Sequence, residues 1–252
     1  MTKILMHGCN GVMGRTITNI VKEETDAKIV AGVDLNTNVP NDYPVFTSLD
    51  QCDVDVDVII DFASPKATNS LLSYAVKHKI PVVLCTTGLT KEQIELVREA
   101  SQKVAVLRSA NMSLGVNMLL KLIKDAVKTL EPAGFDVEIV EKHHNKKVDA
   151  PSGTALALAD SINEAMNNQY EYIYDRSQKT IPREKKELGI SSVRGGTIVG
   201  EHEIIFAGCD EVIEFKHTAY SKAIFAKGSV SAAKYLAGRR AGLYDMSDVI
   251  NS

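Results

Sequence analysis

The 252-residue chain has little net charge: 29 Lys and Arg against 32 Asp and Glu leave −3 at neutral pH. Without a global basic field, neither a nucleic acid nor a membrane surface is an expected partner. No apolar run approaches the ~20 residues that a membrane-crossing helix needs. The amino terminus lacks signal-peptide architecture, since strand-like Lys3-Ile4-Leu5-Met6-His7 follows at once. Cysteine is sparse, and Cys9, Cys52, Cys85 and Cys209 form neither a Cys-x-x-Cys pair nor a zinc spacing. That excludes a disulfide framework and a metal knuckle, and points to reduced thiols. Repeats and low-complexity tracts are also missing. The chain is long enough for one large or two modest domains with real cores.

What is present begins as an alternation of strand and helix. Residues 4–7 form a short apolar strand, 8–14 a glycine turn (Gly8-Cys9-Asn10-Gly11-Val12-Met13-Gly14), 15–23 have helical spacing, and 28–33 form a strand closed by Asp34. Strand, glycine turn, helix, strand and terminal acid make the context that a dinucleotide fingerprint requires. Asp34 falls 20 residues after Gly14, where a carboxylate can accept from ribose hydroxyls. The spacing is Gly-x-x-Gly-x-x-Gly, so Asn10 stands at the second glycine of the commoner pattern.

Residues 36–49, with Pro40 and Pro44, read as a polar surface loop. The run 53–62 starts alternating and ends apolar, as a strand entering a buried parallel sheet does. Ser64-Pro65 opens a helix to 78, followed by a strand at 81–84, a helix at 90–101 and a fifth strand at 103–107. Ligands of open α/β sheets bind outside the carboxyl ends of the strands. The loops Cys85-Thr86-Thr87 and Ser109-Ala110-Asn111-Met112 are therefore expected to face a cofactor, ordinary strand-to-helix turns being the alternative. Beyond a switch near 113–117 comes a helix at 117–129, ended by Pro132 and Gly134. An alternating strand follows at 135–140, and a helix at 155–166. Residues 167–187 read as loop or irregular strand; 190–193, 198–199, 203–207 and 212–217 are separate strand candidates, and 221–236 is helical. Strands following an α/β segment argue for a second, α+β domain.

The densest chemistry lies in Glu141-Lys142-His143-His144-Asn145-Lys146-Lys147-Val148-Asp149-Ala150-Pro151-Ser152-Gly153-Thr154-Ala155. Pro151 stops a strand, and Ser152 or Thr154 suits the N-cap of the helix that follows. The N–H groups around Gly153 and Thr154 are expected to be free there, a site for a carboxylate or phosphate. Cations, a proton donor and an anion cradle in one loop suit the reduction of an acidic substrate. Metal is not expected, because adjacent histidines on a strand point to opposite faces.

The order Glu-x-His-His-x-x-Lys-x-Asp-x-Pro-Ser-Gly-Thr-Ala resembles the signature of the dihydrodipicolinate (4-hydroxy-tetrahydrodipicolinate) reductases. These are nicotinamide-dependent enzymes of the diaminopimelate route to lysine. The glycine turn is similar to that family's Gly-x-x-Gly-x-Met-Gly variant. The two later loops resemble its nicotinamide-contacting Gly-Thr-Thr and Ala-x-Asn-Phe, with Cys85 and Met112 as departures that backbone contacts tolerate. Arg194-Gly195-Gly196, Gly200-Glu201-His202 and the ending Gly242-Leu243-Tyr244-Asp245-Met246 extend the likeness over almost the whole chain.

The resemblance implies an α/β fold. A Rossmann-like parallel-sheet dinucleotide-binding domain (1–113 and 221–252) would accompany a second α+β domain with a mixed open sheet (114–220) for substrate binding and oligomerisation. It implies His143 and Lys147 as proton donors, and His144, Gly153 and Thr154 as ligands of a small dicarboxylate. Gly8, Cys9, Asn10, Gly11, Val12, Met13, Asp34, Cys85, Thr86, Thr87, Ser109, Ala110, Asn111 and Met112 would hold NADH or NADPH. Asp34, followed by Leu35 where some members carry a phosphate-binding Arg, favours NADH. Substrate and cofactor in different domains imply closure before hydride transfer. A homotetramer and a cytoplasmic location complete the expectation. Arg194 is read either as an orienting charge or as half of an ion pair, and Glu201 and His202 as structural. The rival readings are another amino-acid reductase on the same scaffold, a nicotinamide-binding redox sensor, and a reductase-like protein of another activity, which would have lost the His-His or Lys positions. The first would lack the His-His-x-x-Lys run; the second should bring a DNA-reading helix-turn-helix and a basic face.

Overall fold

The protein was studied as a computed structural model, which describes every residue except 175 and 178. The chain divides into two compact units, Met1–Leu114 with Ala223–Ser252, and Gly115–Lys222.

The first unit opens with β1 (Thr2–His7), α1 (Val12–Lys22), β2 (Ala27–Val33), β3 (Val45–Phe46) and β4 (Val58–Asp61). It continues through α2 (Thr68–His78), β5 (Val82–Leu84), α3 (Lys91–Ser101) and β6 (Ala105–Leu107). Every residue of β4 is buried, because a parallel sheet is covered on both faces and its strands must be apolar throughout. Helix α3 starts where its sequence says it should: Thr90 and Gln93 form a reciprocal capping box.

The second unit runs α4 (Leu114–Leu130), β7 (Asp136–His143), α5 (Gly153–Ala165), β8 (Glu171–Ile173), β9 (Glu187–Arg194), β10 (Gly200–Ala207) and β11 (Val212–Ala219). Its sheet has the order β11-β10-β7-β9-β8. β7 and β8 pair with β9 in parallel, while β10 is antiparallel to β7 and β11, so the sheet is mixed as expected. Alternate residues of β7 and β10 are buried. Val137, Ile139, Ile204 and Phe206 pack with Leu119, Ile123, Leu158 and Ile162 of α4 and α5.

The chain then returns to the first unit with α6 (Ala223–Leu236), β12 (Gly242–Tyr244) and α7 (Met246–Ile250). The completed sheet is parallel throughout, in the order β12-β6-β5-β4-β1-β2-β3. One core joins it to α1 and α6, the other to α2 and α3. Strand order therefore reverses between β1 and β4, where doubly wound sheets open a ligand crevice.

Four details differ from the sequence reading. Val45–Phe46 is a short edge strand inside the expected loop, and Gly242–Tyr244 adds an edge at the far side. Ile198 and Val199 belong to the turn between β9 and β10 rather than to a strand. The helix expected from Ser64 begins as a 3-10 turn, Pro65–Ala67, before α2. Pro65 suits a first turn, but it cannot donate a helical hydrogen bond.

Candidate functional site

In the first unit the glycine turn has no room for side chains at Gly8 and Gly14. Gly8 has φ +82°, and a Cβ on it would lie 2.8 Å from the Phe62 carbonyl oxygen; one on Gly14 would lie 2.2 Å from the Gly8 oxygen. The Gly8 and Cys9 N–H groups both donate to the Val33 carbonyl, at 2.8 and 3.4 Å, which binds the turn to the end of β2. α1 has Gly11 as its N-cap, without a side-chain capping bond. Its first N–H groups thus lie at the end of the turn, the arrangement that cradles a pyrophosphate.

Asp34 follows β2. Its Oδ2 accepts the Asn10 N–H and its Oδ1 the Asn36 N–H, both at 2.9 Å. Asn10 also takes an amide hydrogen bond from Asn41 at 3.0 Å, so its side chain serves the neighbouring loop where many dinucleotide folds have glycine. A cavity of about 530 Å³ is lined by Gly8, Gly11, Asp34, Leu35, Lys66 and Tyr74, among others. Val12 and Leu35 are largely exposed. The turn, the carboxylate and the cavity fit a dinucleotide.

Other expected cofactor residues take different positions. Cys9 is fully buried; burial, then Asp34, pushes its thiol up to about 11, leaving its backbone as the part available to a ligand. Burial also raises the Cys85 thiol. Thr86 donates its hydroxyl to Asp61 Oδ2 at 2.6 Å, while Thr87 is exposed. In the other loop Ala110 is exposed and Ser109 half-buried. Asn111 Oδ1 accepts the Ser113 N–H at 2.8 Å. The Met112 side chain packs in the core with Ala226 and Val230, leaving its backbone as the part available to a ligand. Its carbonyl leaves no space for a Cβ at Gly228, which would sit 1.6 Å away.

In the second unit the alternation of β7 sends Glu141 and His143 to the buried face and Lys142 to the other. Glu141 is completely buried. It accepts from Arg194 Nη1 at 2.8 Å and Nη2 at 2.6 Å, from the Ser152 N–H at 3.1 Å, and lies 2.5 Å from His143 Nδ1. Burial opposes its ionisation and is the largest single influence. Hydrogen bonds from Arg194, His143 and Ser192 together outweigh it and bring the carboxyl down to about 2. Of the two roles open to Arg194, the structure shows the ion pair, and Nη2 also donates to the Asp149 carbonyl at 2.6 Å.

With Nδ1 of His143 held by a carboxylate, Nε2 is the nitrogen left for proton exchange. A Cβ on Gly200 would come within 3.1 Å of it, so that glycine makes room for the ring. His202 meets His143 edge to face at 5.2 Å, and its Nε2 is 3.0 Å from the Ser152 hydroxyl. Burial, then the charge of His143, pushes His202 down to about 4. Glu201 pairs with Lys142 and Lys216 on the two flanking strands.

His144 lies just beyond β7 and is half-buried. The Gly195 N–H donates to the His143 carbonyl at 2.9 Å, the Asn145 N–H to the Gly196 carbonyl at 3.2 Å, and the Lys147 N–H to the His144 carbonyl at 3.1 Å. The histidine loop is thereby pinned to the glycines after β9. Ser152 is the N-cap of α5, accepting the Ala155 N–H at 3.1 Å. The anion cradle is not as free as expected. Lys147 Nζ stands 2.8 Å from Asp149 Oδ1; Lys147 foremost, with help from the Gly153 N–H, lowers the Asp149 carboxyl. Thr154 is also engaged.

A parallel dinucleotide-type sheet and a second sheet carrying a basic histidine loop define the class of two-domain oxidoreductases. Two family models cover the chain nearly end to end: dihydrodipicolinate reductase, N-terminus, over residues 2–112, and dihydrodipicolinate reductase, C-terminus, over 115–250. The chain belongs to the dihydrodipicolinate reductase family. It is 51% identical over 250 residues to a 4-hydroxy-tetrahydrodipicolinate reductase of Caldanaerobacter subterraneus subsp. tengcongensis, spanning 99% of this chain and 98% of the relative. A reductase of the same name from Clostridium tetani is 48% identical over 252 residues, spanning 100% and 98%. Among solved structures, a dipicolinate-bound dihydrodipicolinate reductase from Paenisporosarcina sp. TG-14 shares the fold with a TM-score of 0.81 at 24% identity, covering 97% of each chain. A probable dehydrogenase from Thermotoga maritima follows the fold with a TM-score of 0.62 at 13% identity, covering 99% of this chain and 92% of its own.

Two features escaped the sequence reading. Glu141 was part of the signature without a role, although an acid two residues before a histidine on a strand shares its face. Asp149, in the loop before α5, was legible only as a nearby charge.

Proposed function

We propose that this protein reduces 4-hydroxy-tetrahydrodipicolinate to tetrahydrodipicolinate with NADH or NADPH, in the diaminopimelate route to lysine. The observation that carries the reading is the His143–Lys147 loop, set against the capped start of α5, in a chain covered throughout by the family models. The first unit would be the dinucleotide-binding domain, with Gly8 to Met13 on the pyrophosphate, Asp34 on the ribose, and the 85–87 and 109–112 loops toward the nicotinamide. The second would bind substrate and, through its sheet, assemble a homotetramer.

The 4-hydroxy substrate loses its hydroxyl as water to give a cyclic, unsaturated imine dicarboxylate, and reduced nicotinamide, when bound, would supply the hydride to a ring carbon. As charge develops toward the ring nitrogen, a proton must arrive from the protein. His143, oriented by Glu141, and Lys147 are the donors, a contribution of about 10²–10⁴ in rate. His144 and the N–H groups of Gly153 and Thr154 would take a substrate carboxylate, displacing the Asp149 carboxylate from Lys147. Asp34 beside exposed Leu35 favours NADH, since a carboxylate repels a 2′-phosphate. Four unpaired cysteines suit a reducing compartment, and we read the location as cytoplasmic. Among the described residues, no helix is long and apolar enough to cross a membrane.

The test is loss of nicotinamide absorbance with substrate made in place from pyruvate, aspartate semialdehyde and the condensing synthase. Oxidation that requires the synthase, faster with NADH than with NADPH, is the expected result. Binding of either cofactor without oxidation would overturn the enzyme reading.

A further inference from the structure

Beneath the glycine turn of the first unit lies a buried polar network that the sheet itself does not require. His7 ends β1 and Asp61 ends β4, and the strand register sets them side by side. Asp61 is 1% exposed and His7 7%. Asp61 Oδ1 is 2.7 Å from His7 Nδ1 and accepts the Ala63 N–H at 3.3 Å, while Oδ2 accepts the Thr86 hydroxyl at 2.6 Å. Burying an acid and an imidazole costs stability unless both are well paired, and apolar residues would complete this core more simply. The pairing fixes the ring. With Nδ1 held by Asp61, Nε2 is the atom left over, without a hydrogen-bond partner among the described residues. His7 also lines the cavity shared by Gly8, Gly11, Asp34 and Lys66.

The geometry points to His7 as a dinucleotide-binding residue, its Nε2 hydrogen-bonding the adenosine-diphosphate half of the cofactor and Asp61 acting as the positioning residue. That half is indicated because the cavity's walls include the phosphate turn, Gly8 and Gly11, and the ribose carboxylate, Asp34. Asp61 also holds Thr86, which joins the ends of β1 and β4 to the loop after β5. The inference rests on the dinucleotide reading of this unit.

The experiment is calorimetric titration of the full-length protein with NADH and with ADP-ribose, which lacks nicotinamide. His7→Ala should raise both Kd values by the same factor, about tenfold for a lost hydrogen bond to a charged or strongly polar group. His7→Asn, which can still reach Asp61 but is too short for the cavity, should do the same while keeping the parent's melting temperature. Asp61→Asn should weaken ADP-ribose binding in the parent and add little in the His7→Ala background, a coupling that a purely structural role would not produce. A folded His7→Asn protein that binds ADP-ribose within twofold of the parent would overturn the assignment, as would weakened NADH binding with ADP-ribose unchanged. A parent that binds neither NADH nor NADPH would overturn the dinucleotide reading itself.

Discussion

Glu141→Gln is the substitution whose effect can be worked furthest from the geometry. The carboxylate receives two guanidinium bonds, one amide bond and the His143 contact at zero exposure. A carboxamide is nearly isosteric, but it offers one accepting oxygen and turns an NH₂ toward donors. Removing one partner of a buried ion pair costs about 3–5 kcal/mol. Because Arg194 keeps 19% of its side chain exposed, the lower end, about 3 kcal/mol, is expected. For a chain of this size that is a fall in melting temperature of roughly 6–12 °C. The sign with pH follows from the depressed carboxyl, at about 2 against an ordinary 4.5. Its contribution is full above pH 4.5 and is lost as pH falls through 2, so parent and variant should converge in acid. Calorimetric scans from pH 7 to 3 measure this. Glu141→Gln with Arg194→Met should melt above the single variant, since no unpaired charge is left. A single variant within a degree of the parent at pH 7, or a double variant no better than the single, would refute the reasoning.

Three further outcomes are expected. Asp149→Asn should leave stability within about 1 kcal/mol, because the pair is partly exposed, yet lower the KM for the dicarboxylate substrate by freeing Lys147; a raised KM would mean that Asp149 positions Lys147 instead. Gly200→Ala places a methyl 3.1 Å from His143 Nε2 and should lower kcat about three- to tenfold with little change in KM; steady-state kinetics decide it. His202 titrates near 4 in the fold against an ordinary 6.5, so the unfolded chain takes the proton first. Stability should fall by about 3 kcal/mol as pH drops from 6.5 to 4, and His202→Gln should flatten that slope in urea titrations.

The first hundred residues were legible because their signals are local. Apolar runs changed to helical spacing at the glycine turn, and Asp34 fell at the distance that a ribose carboxylate occupies. Edge strands such as Val45–Phe46 and Gly242–Tyr244 were not, since two or three residues cannot display a period of two. Ile198 and Val199 carry β-branched propensity but lie in the turn that lets Gly195 and Gly196 reach the histidine loop. The histidine loop could be recognised as reactive from composition and order. Its support could not, because Arg194 and His202 come from strands that only the sheet register brings beside His143 and Glu141.

The return of the chain to its first unit also shapes how the molecule is made. Residues 115–222 are contiguous and can close their own core as soon as they leave the ribosome. The parallel sheet cannot, because Ala226, Val230, Ala233 and Leu236 of α6 cover the same face as Ile4, Met6, Ile60 and Val83. During synthesis the part of that face not covered by α1 stays apolar and exposed until α6 emerges. A nascent chain stopped after residue 222 would thus carry a closed second unit beside a sheet face that α6 has yet to cover.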